Sequence, residues 1–294
     1  MRRENHRIGE VKMLKTEMRN PNTMHIDRCG TEEILRLIQN ENQVAVDAVG
    51  AAVGQIARAC DAIEASIRAG GRLIYIGAGS SGRIGVLDAV ECPPTYGVPR
   101  ELVVGLIAGG YDCMFRAAEG AEDSAEAGVA DLQKISLARE DAVVGISAAG
   151  NAGYVAAALG YARDVGCITI GITSNAGSRL DRESDIPIIT DTGPEPITGS
   201  TRMKAGSAQK MVCNMLTTTV MTRLGMVYEN LMINLKPTNI KLRRRVISIV
   251  CEILSCDETE AVRRLDACGW SIRAAVEADA AGDAADQPGA DSTL

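Results

Sequence analysis

Aromatic side chains are scarce in this chain: 3% of its 294 residues, with one Trp, one Phe and six Tyr. A core without many large rings must be filled by small and branched aliphatics. Hydrophobic residues make up 46% of the chain, and there are 30 glycines besides. That profile suits an α/β sheet with helices packed closely on it. Histidine is nearly missing, at His6 and His25, and none of the nine cysteines forms a C-x-x-C pair. The familiar zinc-binding spacings are therefore excluded. Scattered thiols fit a reducing cytoplasm, where they act as small hydrophobes, and Cys92 beside Glu91 reads as a structural or lining residue rather than a nucleophile. Basic residues are in deficit, 31 against 38 acidic ones, for a formal net charge of −7. This balance argues against nucleic acid as the main partner. One basic run exists, Lys241-Leu-Arg243-Arg244-Arg245, readable as a solvated helix face or as a contact for an anion or a subunit. No apolar run of about 18 residues is present, so no membrane span is expected. The N-terminus is charged and lacks an apolar stretch, so no signal peptide is expected.

The length admits one large domain and a small one. Residues 1 to about 30 are polar and read as an arm with little structure of its own. Helical periodicity runs over 31–69 and stops at Gly70-Gly71. Strand and helix signals then alternate. Strands are expected at 72–76, 102–107, 142–146, 167–172 and 186–189. Helices are expected at 81–89, around 113–119, at 124–134 and at 151–164. A long helix follows at 201–224 and another at 239–255. Asp257 is placed to cap a short helix, and a last helix spans 266–279, with a structureless tail from Ala280. Such alternation implies a mostly parallel sheet covered on both faces. Ligands in such sheets sit beyond the carboxyl ends of the strands, which directs attention to the loops after 76, 107, 146 and 172. Organised this way, the chain has an arm and helix over 1–46, a main domain over 47–245, a small helical module over 246–282 and a disordered tail over 283–294.

Gly77-Ala-Gly79-Ser80-Ser81-Gly82 follows the first strand and opens a helix. As G-x-G-x-x-G it matches a dinucleotide fingerprint, but that use also needs an acid at the end of the second strand. The second strand ends Leu106-Ile107-Ala108-Gly109-Gly110, and Glu101 lies at its wrong end. A sugar phosphate fits better. Gly79, Ser80 and Ser81 offer backbone and hydroxyl donors at a helix N-terminus; the serines also suit plain capping.

Three blocks carry a resemblance: Gly77 through Glu91-Cys-Pro-Pro-Thr-Tyr-Gly97; Gly105-Leu-Ile-Ala-Gly-Gly110 with Ala118-Glu119-Gly-Ala-Glu122-Asp123; and Gly193-Pro-Glu195-Pro-Ile-Thr-Gly-Ser200-Thr-Arg-Met-Lys204 through Lys210. Over roughly residues 15 to 280 the chain resembles the N-acetylmuramic acid 6-phosphate etherase family, to which the animal glucokinase regulatory protein is more distantly related. The resemblance implies a sugar isomerase (SIS) fold, which is a flavodoxin-like parallel sheet flanked by helices, followed by a small module similar to a ubiquitin-associated domain. It implies a cytoplasmic homodimer that acts on a small sugar phosphate without metal or organic cofactor.

The implied reaction removes D-lactate from N-acetylmuramic acid 6-phosphate and leaves N-acetylglucosamine 6-phosphate, in recycling of cell-wall sugar. The sugar opens to an aldehyde, C2 loses a proton, lactate leaves from C3, and water adds. The resemblance puts Glu91 in the proton-donor role, protonated through desolvation beside Cys92 and Pro93-Pro94. It puts Glu122 in the base role, at C2 or on the attacking water. By residue type alone, Glu119, Glu122, Asp123 and Glu126 also suit an acidic helix start. Lys204 and Arg202 suit neutralisation of phosphate or of the lactyl carboxylate. Ser200 and Thr201 either cap the long helix or line the site, and Glu195 reads as a turn residue. Relatives carry Ser-Gly-Arg-Thr-Pro-Tyr after the third strand; this chain has Ser147-Ala148-Ala149-Gly150-Asn151-Ala152-Gly153-Tyr154. Ser147 and Asn151 remain as side-chain donors there, and more of the phosphate contact falls to Ser80 and Ser81. The alternatives are a non-catalytic sugar-phosphate sensor and a phosphosugar isomerase.

Overall fold

Five short apolar runs form one parallel sheet: β1 Leu73–Gly77, β2 Val103–Ile107, β3 Ala142–Ile146, β4 Ile168–Thr173 and β5 Ile186–Ile189, in the order β2-β1-β3-β4-β5. The structure, a computed structural model, describes residues 13–116, 118–237 and 239–285. The strand order is that of flavodoxin-like sheets, whose order reverses between β1 and β3. All residues of β1 and β3 are buried, as expected for strands covered on both faces. Ile74, Ile76 and Val143 point to one face, where they meet Tyr154, Val155, Ala158 and Leu159 of helix α5 (Gly153–Val165).

The predicted helical run over 31–69 is two helices, α1 Thr31–Ala51 and α2 Val53–Arg68, broken at the buried Ala52 with φ −91° and ψ 0°. After β1 comes α3, Gly79–Tyr96, longer than the predicted 81–89. The helix expected near 113–119 is absent: a 3-10 turn, Tyr111–Met114, stands there, and a second one, Ala121–Asp123, follows. Positive φ at Gly109, Gly110 and Gly120 breaks any longer helix. Then come α4 Ala125–Lys134, a short α6 Arg179–Glu183 that periodicity did not signal, and α7 Lys204–Arg223. Over its described residues, 13–30, the polar arm forms only 3-10 turns. It is pinned by Lys15 N–H to Asn175 Oδ1 (2.9 Å) and Thr23 Oγ1 to the Pro196 carbonyl (2.8 Å).

The chain divides into two units. One holds residues up to Ala89 with Glu101–Thr217; the other holds Val90–Arg100 and the chain from Thr218 onward. In the second unit, α8 Ile240–Leu254, α9 Glu258–Ala267 and α10 Ile272–Ala285 bury Val246, Val250, Ala261, Leu265 and Ile272 in a common core. Asp257 caps α9 as its sequence position indicates, accepting from Glu260 N–H at 2.8 Å. Within the basic run, Arg243 stacks its guanidinium 3.9 Å over the Trp270 ring. The tail expected from Ala280 is helical as far as Ala285; the rest of that tail and the first twelve residues lie outside the described residues. Among the described residues no helix is long and apolar enough to cross a membrane, and no group of His, Cys, Asp and Glu could hold a metal ion.

Candidate active site

Gly77 is level with Ile107 and Ile146 in the sheet, so the loops after β1, β2 and β3 leave the same edge. The first of these loops is built on two glycines packed backbone to backbone. A Cβ on Gly77 would sit 2.7 Å from the Gly82 nitrogen, and one on Gly82 would sit 2.7 Å from the Gly77 oxygen and from Ile107 Cγ1. The first turn of α3 thereby presses onto the end of β1, with its unpaired N–H groups at the sheet edge where an anion is favoured. Gly79 is exposed and has φ +53°, Ser80 is half-buried, and the buried Ser81 donates from Oγ to Gln209 Oε1 at 2.9 Å.

Beside this loop lies a cavity of about 340 Å³, lined by Ala78, Gly79, Arg83, Ala108, Cys113, Arg116, Ala118, Glu119, Gly120, Ala121 and Glu122. Glu122 is exposed and belongs to the 3-10 turn after Gly120 rather than to α4, whose N-cap is Ser124. The reading of Glu122 as an acidic helix start therefore does not describe its position. Its turn is braced by α5, because Gly153 packs against the Asp123 carbonyl: a Cβ there would lie 2.7 Å from that oxygen. Arg83 ties α3 to the opposite wall, donating to the carbonyls of Met114 (3.0 Å) and Arg116 (3.2 Å).

Glu91 lies on α3 in the second unit, and its side chain is exposed. Cys92 beside it is buried, while Glu91 faces outward. Pro93 and Pro94 do not stop the helix at residue 89. They fall in its last turn, where each lacks the N–H that would bond the carbonyl four residues back. The helix ends at Gly97, φ 69°, whose N–H bonds the Pro93 carbonyl at 2.9 Å. After β3, Ser147 Oγ accepts from Gly150 N–H (3.1 Å), and Asn151 Oδ1 accepts from Arg179 N–H (3.0 Å) at the start of α6. The first bond closes the loop on itself, and the second ties it to α6.

An N-acetylmuramic acid 6-phosphate etherase of Rubrobacter xylanophilus is 48% identical over 272 residues, which cover 92% of this chain and 89% of that protein. The chain belongs to the N-acetylmuramic acid 6-phosphate etherase family. The etherase of Pectobacterium atrosepticum is 47% identical over 276 residues, covering 94% of this chain and 90% of its own length. Two family models match, the glucokinase regulatory protein N-terminal SIS domain over residues 55–163 and the SIS domain over 121–219. A protein of Escherichia coli CFT073, solved with a bound ligand, shares the fold, with a TM-score of 0.50, 16% identity, and coverage of 68% of this chain and 95% of that one.

The third block of etherase resemblance folds differently from its sequence reading. Ser200 and Thr201 sit half-buried in the turn before α7. The backbone donors that open α7 are taken instead by Glu195, fully buried, which accepts from Lys204 N–H (2.8 Å) and Ala205 N–H (3.0 Å). Burial pushes the Glu195 carboxyl up, against the opposing pull of those N–H groups and of the Lys204 charge. The Lys204 ammonium pairs with Glu41, and the side chains of both are almost wholly buried. Asn20 (2.7 Å) and Asn22 (2.8 Å) also donate to Glu41. Burial raises Glu41, but these hydrogen bonds outweigh it and hold its carboxyl below the ordinary value. Reading residue types missed Glu41 and took Glu195 for a turn residue rather than the acceptor that opens α7. Glu41 had a signal: it falls in the stripe Ile34, Ile38, Glu41, Ala45, Val49, and the last three are buried.

Proposed function

We propose that this chain cleaves the D-lactyl ether of N-acetylmuramic acid 6-phosphate to give N-acetylglucosamine 6-phosphate and D-lactate. The observation that carries this reading is its membership of the etherase family, at 48% identity over 92% of the chain. Support from the site comes from Glu122, which lines a cavity beside the glycine loop at the carboxyl edge of the sheet.

In this reading the N-terminal turn of α3, with Gly79, Ser80 and Ser81, receives the phosphate. Ser147 and Asn151 shape the neighbouring loop, and Ser200 and Thr201 stand at the head of α7. Lys204 has a structural role, because its charge is already balanced by Glu41. Once the sugar is open, Glu122 takes the C2 proton and the electron pair forms the C2–C3 double bond. The C3–O bond breaks, its electrons stay on the lactate oxygen, and Glu91 supplies the proton there. Water then adds at C3 and C2 regains a proton.

Exposed apolar residues on one unit, among them Leu87, Tyr111 and Phe115, support a homodimer. All nine cysteines are thiols, which supports a reducing, cytoplasmic setting. The small helical unit of α8 to α10 supports the ubiquitin-associated resemblance.

Incubation of purified protein with N-acetylmuramic acid 6-phosphate should release D-lactate in step with N-acetylglucosamine 6-phosphate. Folded protein that binds the sugar phosphate but releases no lactate would instead be a sensor.

A further inference from the structure

The cavity beside Glu122 is lined by two arginines, Arg83 and Arg116, that neither the acid–base pair nor the phosphate loop accounts for. Arg83 is half-buried and oriented by its bonds to the carbonyls of Met114 and Arg116; Arg116 itself is exposed at the wall. Glu119 and Glu122 line the same space.

The substrate has two anions of different shape. Its phosphate, on C6, suits a helix N-terminus with hydroxyls. Its second anion, the lactyl carboxylate, is planar and is separated from C3 only by the ether oxygen and one carbon. A base that takes the C2 proton must therefore stand close to that carboxylate. Left alone with Glu119 and Glu122, the carboxylate would meet only like charge. Guanidinium groups suit a carboxylate, and because Arg83 Nε and Nη2 are engaged with the carbonyls of Met114 and Arg116, Arg83 contributes through its charge. Of the two cations suited to the task by sequence, Lys204 is committed to Glu41, and Arg202 is exposed in the turn before α7.

We infer that Arg83 and Arg116 bind the carboxylate of the D-lactyl group, making this cavity the subsite that distinguishes an ether-bearing 6-phospho sugar from one without lactate. The inference rests on the etherase reading above. The two cations also balance charge during cleavage. As the C3–O bond breaks and lactate departs with its carboxylate, the guanidinium groups remain beside the leaving group.

The test compares wild type with Arg116→Gln and Arg83→Lys, using two ligands. Steady-state turnover is measured on N-acetylmuramic acid 6-phosphate. Inhibition is measured with N-acetylglucosamine 6-phosphate, which lacks the lactyl group, and thermal midpoints check the fold. Arg116→Gln should raise KM for the ether substrate about 10–100-fold, the usual range for one lost charge-assisted hydrogen bond. Its inhibition constant for the lactate-free sugar should stay within about twofold of wild type. Arg83→Lys should keep part of the discrimination, since the charge remains while the bonds that orient it to the Met114 and Arg116 carbonyls are lost. Equal weakening of both ligands, or no change in either, overturns the inference while wild type stays active. Wild type that releases no lactate overturns the parent reading, and the inference falls with it.

Discussion

Lys204 and Glu41 form an ion pair sealed from solvent, with side chains only 2% and 4% exposed. Glu41 is on α1 and Lys204 opens α7, so the pair joins two helices far apart in sequence. Asn20 connects the polar arm to the same carboxylate and to the Pro194 carbonyl (3.0 Å). Removing one charge leaves the other buried and uncompensated, which is the costly way to break such a pair.

Lys204→Met should therefore destabilise the fold by about 3–5 kcal/mol. A second change, Glu41→Gln, should restore part of that loss, because the orphaned charge disappears. Urea unfolding of the single and double variants measures both effects. Equal stability of Lys204→Met and wild type would place the pair in solvent.

The same carboxylate makes stability depend on pH. Glu41 is held below its ordinary value of 4.5 in the fold, so on acidification the unfolded chain takes up the proton first. Its contribution is complete above the ordinary value and fades as pH falls through the lowered folded one. Stability should rise with pH across that window, and Glu41→Gln should flatten the rise. Unfolding free energies from about pH 3 to pH 7 report the slope.

Glu91→Gln and Glu122→Gln should each lower lactate release by about 10²–10⁴-fold. Both side chains are exposed, so both variants should stay within about 0.5 kcal/mol of wild-type stability. Sugar-phosphate affinity should persist in each. Normal turnover in either variant would remove that residue from the acid–base pair.

Gly82→Ala should damage the phosphate loop directly. Its Cβ would lie 2.7 Å from the Gly77 carbonyl oxygen, a backbone atom with no rotamer to yield. A cost of about 1–3 kcal/mol is expected, together with weaker binding of the sugar phosphate. Binding titration alongside a melting curve separates the two effects. A variant with wild-type values in both would mean that the loop opens freely.

Strands were readable because a buried parallel strand is a short continuous apolar run, and Ala142–Ile146 and Ile186–Ile189 coincide with their sequence bounds. The stretch after β2 was less readable. Its composition suits a helix, but positive φ at Gly109, Gly110 and Gly120 divides it into 3-10 turns, and this places Glu122 at a cavity wall. The stop expected at residue 89 was displaced to Gly97, since prolines in a final turn cost little when a glycine closes the helix behind them.

The sequence by itself determined the parallel sheet, the glycine loop at the end of its first strand, and the family to which the two glutamates point. Those features depend on residues near one another in the chain, where period and spacing are visible. Only the tertiary structure decided that Lys204 faces Glu41, that Glu195 rather than Ser200 or Thr201 caps α7, and that Arg83 and Arg116 stand beside Glu122. A charged side chain is placed by whatever opposite charge the fold brings within reach, and partners as distant as residues 41 and 204 leave no local pattern.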